Sequence, residues 1–233
     1  MSERVDGAIA LAPAPGPSSL ALDLSAGDGL STRMLADRGW RVVSTEYRTR
    51  NRGWVAVNLN NDLPFRTAQF DLVLLLEVIE HLADIPHMLQ EIARVTRPGG
   101  VAIVTTPNRL NVSSRIHYLL SGYYKGRRAP LAYKYRVADG RNWHVMGLND
   151  LHWIAWGAGL RMDALGRARR KIRSRVLAPV LWPFIAGFSW ILYGRVRDPA
   201  QRKINRELLG FMTSASLLMD ENIIMRFRKA EAN

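Results

Sequence analysis

The amino-acid sequence predicts an α/β fold built on a doubly wound, mostly parallel seven-stranded sheet. Three observations carry that expectation. Short apolar runs bounded by turn residues alternate with amphipathic segments over the first 108 residues, the rhythm of strands joined by crossover helices. Phe70–Leu76 is almost wholly apolar, as a central parallel strand covered on both faces must be. The stretch Ala21-Leu-Asp-Leu-Ser-Ala-Gly-Asp-Gly-Leu30 passes from an apolar strand through a glycine-containing turn directly into a helix pattern.

Leu20–Leu24 reads as the first buried strand. Leu30–Arg38 reads as a helix, with Leu30 and Met34 four apart and Gly39 as its stop. Arg41–Thr45 is the second strand, ending against Glu46, and Trp54–Val57 is a short third. Phe70–Leu76 is the fourth. Asp84 offers an N-cap and Pro86 a first-turn proline for a helix whose inner stripe is Ile85, Leu89 and Ile92. Arg97-Pro-Gly-Gly100 ends that helix, and Val101–Thr105 is the fifth strand. Residues 106–147, rich in Tyr, Arg and Gly, break the rhythm and are expected to form a substrate cap over the carboxyl edge of the sheet. A helix from Asn149 to about Gly157, a strand over Gly159–Leu165 and an alternating strand over Glu221–Arg228 complete the pattern.

Residues 166–220 lie between the last two strands, far longer than an ordinary connection. The expected domain is therefore 20–165 with 211–230, interrupted by an insertion at 166–210. Residues 1–19 end in a Pro/Ser/Gly-rich run and are expected to form a flexible leader. Glu3 and Asp6 stand where a signal peptide carries positive charge, and Ala8–Ala12 is too short for its apolar region, so a cytoplasmic location is expected.

The chain has no cysteine, which excludes disulfides, thiolate nucleophiles and Cys-ligated zinc. Its net charge of +13 is unevenly placed: residues 121–210 hold 18 Lys/Arg against 5 Asp/Glu, whereas the remainder holds 15 of each. That segment should meet an acidic partner. Within it, the run from Arg167 to Arg175 precedes Val176–Gly194, nineteen residues without a charge, closed by Arg195 and Arg197. Nineteen apolar residues suffice for a short membrane span. Pro179, Pro183 and Gly187 should interrupt a helix there, and arginines at both ends favour neither orientation. A monotopic element docked on an anionic membrane surface is the expectation, with the cytoplasmic face as its place. The basic run lacks the interleaved aromatics of a nucleic-acid stacking surface, so nucleic acid is not expected as a partner.

An acidic residue, Glu46, ends the second strand 23 residues after Asp23, a spacing that suits a carboxylate reaching ribose hydroxyls. Asn61-Asp62-Leu63-Pro64-Phe65 follows. Next come Phe70 to Leu82 with Glu77, Glu80 and His81, then Arg94 to Gly100, and Thr106-Pro107-Asn108. In order and spacing these motifs resemble the Rossmann-like class I S-adenosylmethionine (SAM) methyltransferases, closest to the ubiquinone-biosynthesis O-methyltransferase group. The resemblance covers roughly residues 20–108 and, more loosely, 142–165.

The resemblance implies SAM as cofactor. Asp23, Ser25, Gly27 and Gly29 would border its amino-acid end, and Glu46 would hold the ribose with Tyr47 beside the adenine. Asp62 would accept from the adenine amino group with Leu63 nearby, and Glu77 would sit where cofactor and acceptor meet. The family turn usually starts with glycine, and here Ser25 stands in that place; serine fits only if its φ is negative. His81 is the leading general base and His144 the second, both near the sheet's carboxyl edge. His87, His117 and His152 read as helix or cap residues. Glu77, Glu80 and His81, with His144, also form the kind of set that holds a divalent metal in some relatives.

The implied activity is SAM-dependent methylation, with O-methylation of a lipophilic or lipid-linked acceptor at the cytoplasmic membrane face as the expectation. The alternatives are an RNA 2′-O-methyltransferase and a non-catalytic, membrane-docked scaffold with a degenerate fold.

Overall fold

The computed structural model describes residues 2–49, 51–122, 124 and 146–231. Its centre is a seven-stranded sheet: β1 (Leu20–Leu24), β2 (Arg41–Glu46), β3 (Val55–Ala56), β4 (Phe70–Leu76), β5 (Thr96–Pro107), β6 (Leu160–Leu165) and β7 (Asn222–Lys229). The spatial order is β3-β2-β1-β4-β5-β7-β6, and β7 alone runs antiparallel. The chain winds outward from β1 on one side and from β4 on the other. The gap between those two crossovers is where open α/β sheets bind ligands.

Alternation along the strands builds two cores. Leu22, Leu24, Val73, Leu75, Ala102 and Val104 face one layer, which holds α3 (Ile85–Val95) and α5 (Leu148–Gly157). Ala21, Leu72, Leu74, Val101 and Ile103 face the other, against α1 (Ser2–Ile9) and α2 (Leu30–Asp37). The expected α3 signals hold: the Asp84 side chain accepts the His87 N–H, and Pro86 lies in the first turn. Strand β5 starts earlier than its apolar run, because Thr96 already pairs with Phe70; Arg97–Gly100 then form an irregularity before the register resumes at Val101 opposite Leu72.

Three expectations are corrected. The leader is not flexible throughout, since residues 2–9 form α1. Val5, Ala8 and Ile9 bury against Leu35, Leu74 and Ile224, and Arg38 Nη1 donates to the Ile9 carbonyl at 2.6 Å. Gly7 permits this docking. A Cβ there would stand 2.0 Å from the Arg167 carbonyl oxygen, so Gly7→Ala should destabilise by about 1–3 kcal/mol and raise amide exchange in α1. Second, the insertion does not close at residue 210. It comprises α6 (Ile172–Gly194), α7 (Pro199–Met212) and α8 (Ala215–Met219). Third, α6 continues through Pro179 and Pro183. The two prolines are four residues apart on its exposed side, so they crowd no packed neighbour there. Of the expected cap, residues 112–121 form α4 (Val112–Ser121), and most of the rest, including His144, lies outside the described residues.

Candidate active site

The turn after β1 carries left-handed backbone at Ser25 (φ 57°), Gly27 (φ 59°) and Gly29 (φ 75°). Ser25 thus occupies the conformation for which serine is poorly suited, at about 1–2 kcal/mol relative to glycine. Local bonds offset this: its N–H donates to Thr45 Oγ1 at 3.1 Å, and its hydroxyl donates to Glu46 Oε1 at 3.3 Å. Ser25→Gly relieves that strain but loses the hydroxyl bond to Glu46 and adds chain entropy, so it should change stability by less than about 1 kcal/mol. Chemical denaturation measures it.

Glu46 closes β2 over this turn. Its Oε2 accepts the Gly27 N–H at 3.0 Å and its Oε1 the Tyr47 N–H at 2.9 Å. A cleft of about 310 Å³ opens beside it, lined by Ser25, Thr45, Glu46, Tyr47, residues 57–60, Val78, His81 and Leu82. Of the sequence candidates, Ser25, Glu46, Tyr47 and His81 meet here. His81 ends a short 3-10 turn, Ile79–His81, and its side chain is exposed on the cleft wall.

The remaining candidates sit elsewhere. Asp23 is buried behind the turn, where Ser31 Oγ and Thr32 Oγ1 each donate to its Oδ2 at 2.7 Å. It fastens α2 to β1, and burial pushes its carboxyl above the usual range. Gly27 and Gly29 shape the turn without lining the cleft. Asp62 points to solvent and pairs with His87 at 3.2 Å, while Leu63 is buried in the core. Asn58, Leu59 and Asn60 line the cleft instead, because β3 ends at Ala56 and delivers the following residues to the carboxyl edge. Asn60 Oδ1 accepts the Ala83 N–H at 2.9 Å, tying that loop across to the far wall.

Glu77 also holds left-handed backbone, φ 58°. Its Oε1 accepts from Thr105 Oγ1 and Asn222 Nδ2, at 3.1 and 2.9 Å, and its Oε2 pairs with Arg4 Nη1 at 3.3 Å. Burial raises its pKa, with Arg4 opposing. Glu80 is buried and accepts from Thr106 Oγ1 at 3.3 Å. The expected metal set does not converge: Glu77 turns to Arg4, Glu80 to Thr106 and His81 to the cleft. Among the described residues no three His, Asp or Glu side chains are placed to hold a metal. His152 is buried in α5 against Trp153, where burial lowers its pKa, and His87 and His117 are helix residues.

Glu80 supplies a pH prediction. Burial, reinforced by the Glu77 charge, lifts its pKa from 4.5 to about 7. The folded state holds this proton more tightly than the unfolded chain. Its contribution is thus complete below pH 4.5 and is lost as pH rises to about 7, by about 3 kcal/mol in all. Asp23 and Glu77 act in the same direction; Glu91, held low by Arg94, opposes. Glu80→Gln should flatten the fall in urea midpoint between about pH 5 and about pH 8.

Comparison with known proteins places this architecture. A family model described as a methyltransferase domain matches residues 2–165. A demethylmenaquinone methyltransferase of a Mycobacterium species is 31% identical over 204 residues, covering 79% of this chain and 78% of the relative. A ubiquinone biosynthesis O-methyltransferase of Caulobacter vibrioides is 33% identical over 112 residues, 42% of this chain and 44% of the relative. Other curated matches span 39% and as little as 19% of the relative's length. Among solved structures, a putative methyltransferase from Haloferax volcanii, in complex with its Trm112 activator, matches 98% of this chain and 90% of its own. The TM-score is 0.57 at 15% identity, a likeness of fold. The strand order, the acidic end of β2 over a glycine turn and these matches agree, and the chain belongs to the class I S-adenosylmethionine-dependent methyltransferase family.

Proposed function

We propose that the protein transfers the methyl group of SAM to a hydroxyl of a lipophilic small molecule. The observation that carries this reading is the single cleft that has the Glu46 carboxylate on one wall and the His81 imidazole on another. The residues present fit the cofactor. Glu46 is a buttressed carboxylate able to accept from two ribose hydroxyls. Val57, Leu59, Val78 and Leu82 give apolar surface for a base, with Tyr47 at the rim. When bound, SAM supplies a methyl on a sulfonium whose sulfur leaves as a neutral thioether.

The chain's own work is positioning and proton removal. The Ser25–Gly29 turn and Glu46 fix one reactant at the β1/β4 switch point. His81 accepts the acceptor's proton as the new O–CH3 bond forms, which keeps the product neutral. An acceptor with an ionisable proton gives His81 a task, and the quinone-directed relatives support a lipophilic skeleton. A polyprenyl quinone precursor, a glycolipid or a lipid-linked sugar fits that description. Titration calorimetry with SAM should give a binding isotherm, and mass spectrometry of lipid extracts incubated with protein and SAM should show a product heavier by one CH2. No heat of binding, or a product methylated on carbon or nitrogen, overturns the reading.

A further inference from the structure

We infer that α6 is an in-plane docking helix that seats the carboxyl edge of the sheet on an anionic lipid surface. Helix α6 is 23 residues long with mean hydropathy 1.7 over its most apolar stretch. At 1.5 Å per residue, it has the length to cross a hydrocarbon core. Its attachments forbid this. At the start, the Lys171 N–H donates to the Met219 carbonyl, and Ser174 Oγ accepts the Ser113 N–H at 3.3 Å. At the far end, Tyr193 Oη donates to Asn149 Oδ1 at 3.3 Å, and the Tyr193 carbonyl accepts from Asn205 Nδ2 at 3.2 Å. Both ends are fastened to the same domain. A span would also pull α7 and its fully buried Leu208 out of the core.

Between the fastenings α6 buries only a stripe. Ala178 is buried and Leu177, Leu181 and Ile185 are partly buried, against Val112 of α4 and Leu218 of α8. The opposite side is apolar and open: Val176, Val180, Phe184, Phe188 and Trp190 are each 66–73% exposed. Leu119 and Leu120 of α4 are 81% exposed. Exposed Arg173 and Arg175 stand in its first turn, Arg195 and Arg197 just beyond its end, and Lys203 and Arg206 on α7. A second copy of the chain would bring like charges together at both ends of an isologous contact. An anionic leaflet complements an apolar face with basic ends.

The placement also relates this face to the cleft. Ser174 is bonded near the residues that follow β5, and Tyr193 to the start of α5, whose far end delivers the chain to the amino end of β6. Helix α6 therefore lies along the carboxyl edge, where Ser25, Glu46 and His81 also lie. The inference goes beyond the proposed methyl transfer, and docking stands without it.

The test uses the full chain with vesicles and no cofactor. Flotation should be strong on phosphatidylglycerol-containing vesicles and weak on phosphatidylcholine alone. Phe184→Asp with Phe188→Asp should reduce partitioning by about tenfold or more, and Arg173→Gln with Arg175→Gln should reduce the preference for anionic lipid. SAM calorimetry on the aspartate variant should match the unmodified chain, so a docking failure and a cofactor failure are read separately. Because the chain has no cysteine, Arg197→Cys reports topology: an impermeant maleimide added outside should label it on vesicles. No flotation on anionic vesicles overturns docking, as does a concentration-dependent dimer that the aspartate pair dissociates. Protection of residue 197 overturns the in-plane geometry.

Discussion

Glu46→Ala is expected to weaken SAM binding about 100-fold, read as Kd by titration calorimetry. Two charge-assisted hydrogen bonds to ribose hydroxyls are each worth about 1.5–3 kcal/mol, and even the low end of their sum, about 3 kcal/mol, is two decades in affinity. The carboxylate is held in place before any ligand arrives, by the N–H groups of Gly27 and Tyr47 and the Ser25 hydroxyl. Little reorganisation is therefore needed on binding. Glu46→Gln keeps one acceptor oxygen and should lose less. An alanine variant that binds SAM like the unmodified protein would place the ribose elsewhere.

His81→Ala should lower kcat by about 10²–10⁴-fold and leave SAM affinity unchanged. The His81 side chain lies on the cleft wall and bonds to none of the described residues, so its removal should not move the denaturation midpoint. Added imidazole should restore part of the rate. If kcat is unchanged in the alanine variant, proton removal belongs to solvent or to another group.

The sheet is legible in the sequence because each strand is a short apolar run cut off by turn residues, and because β7 alternates where β4 does not. Helix α1 is not legible. It is only eight residues long and carries Gly7 in its last turn, and its short apolar stripe of Val5, Ala8 and Ile9 gains its partners only from the distant Leu35, Leu74 and Ile224. The continuity of α6 is hidden for a related reason: proline is a strong local breaker, costing a bond to the carbonyl four residues back, and at exposed Arg175 and Pro179 solvent can satisfy that carbonyl.

The site divides in the same way. The placement of Glu46 and His81 beside the cleft is readable because Glu46 is the last residue of β2 and His81 closes the short turn after β4, both at the carboxyl edge. Asp62 misleads because distance along a loop does not fix which residue faces the cleft. Asn58 carries the better signal, lying just after β3. The φ of Ser25 is invisible to composition, since the turn's geometry is imposed by Thr45 and Glu46 on a neighbouring strand.

The position of β7 between β5 and β6 dictates an order of assembly. β5 and β6 do not pair with each other; each pairs with residues 222–229, the last strand in the chain. During synthesis at roughly 5–20 residues per second, the whole of α6 emerges before the strand that closes the sheet beneath it. For several seconds the most water-averse segment of the chain is attached to a half-finished domain. A nascent chain in that condition carries more uncovered apolar surface than the finished domain.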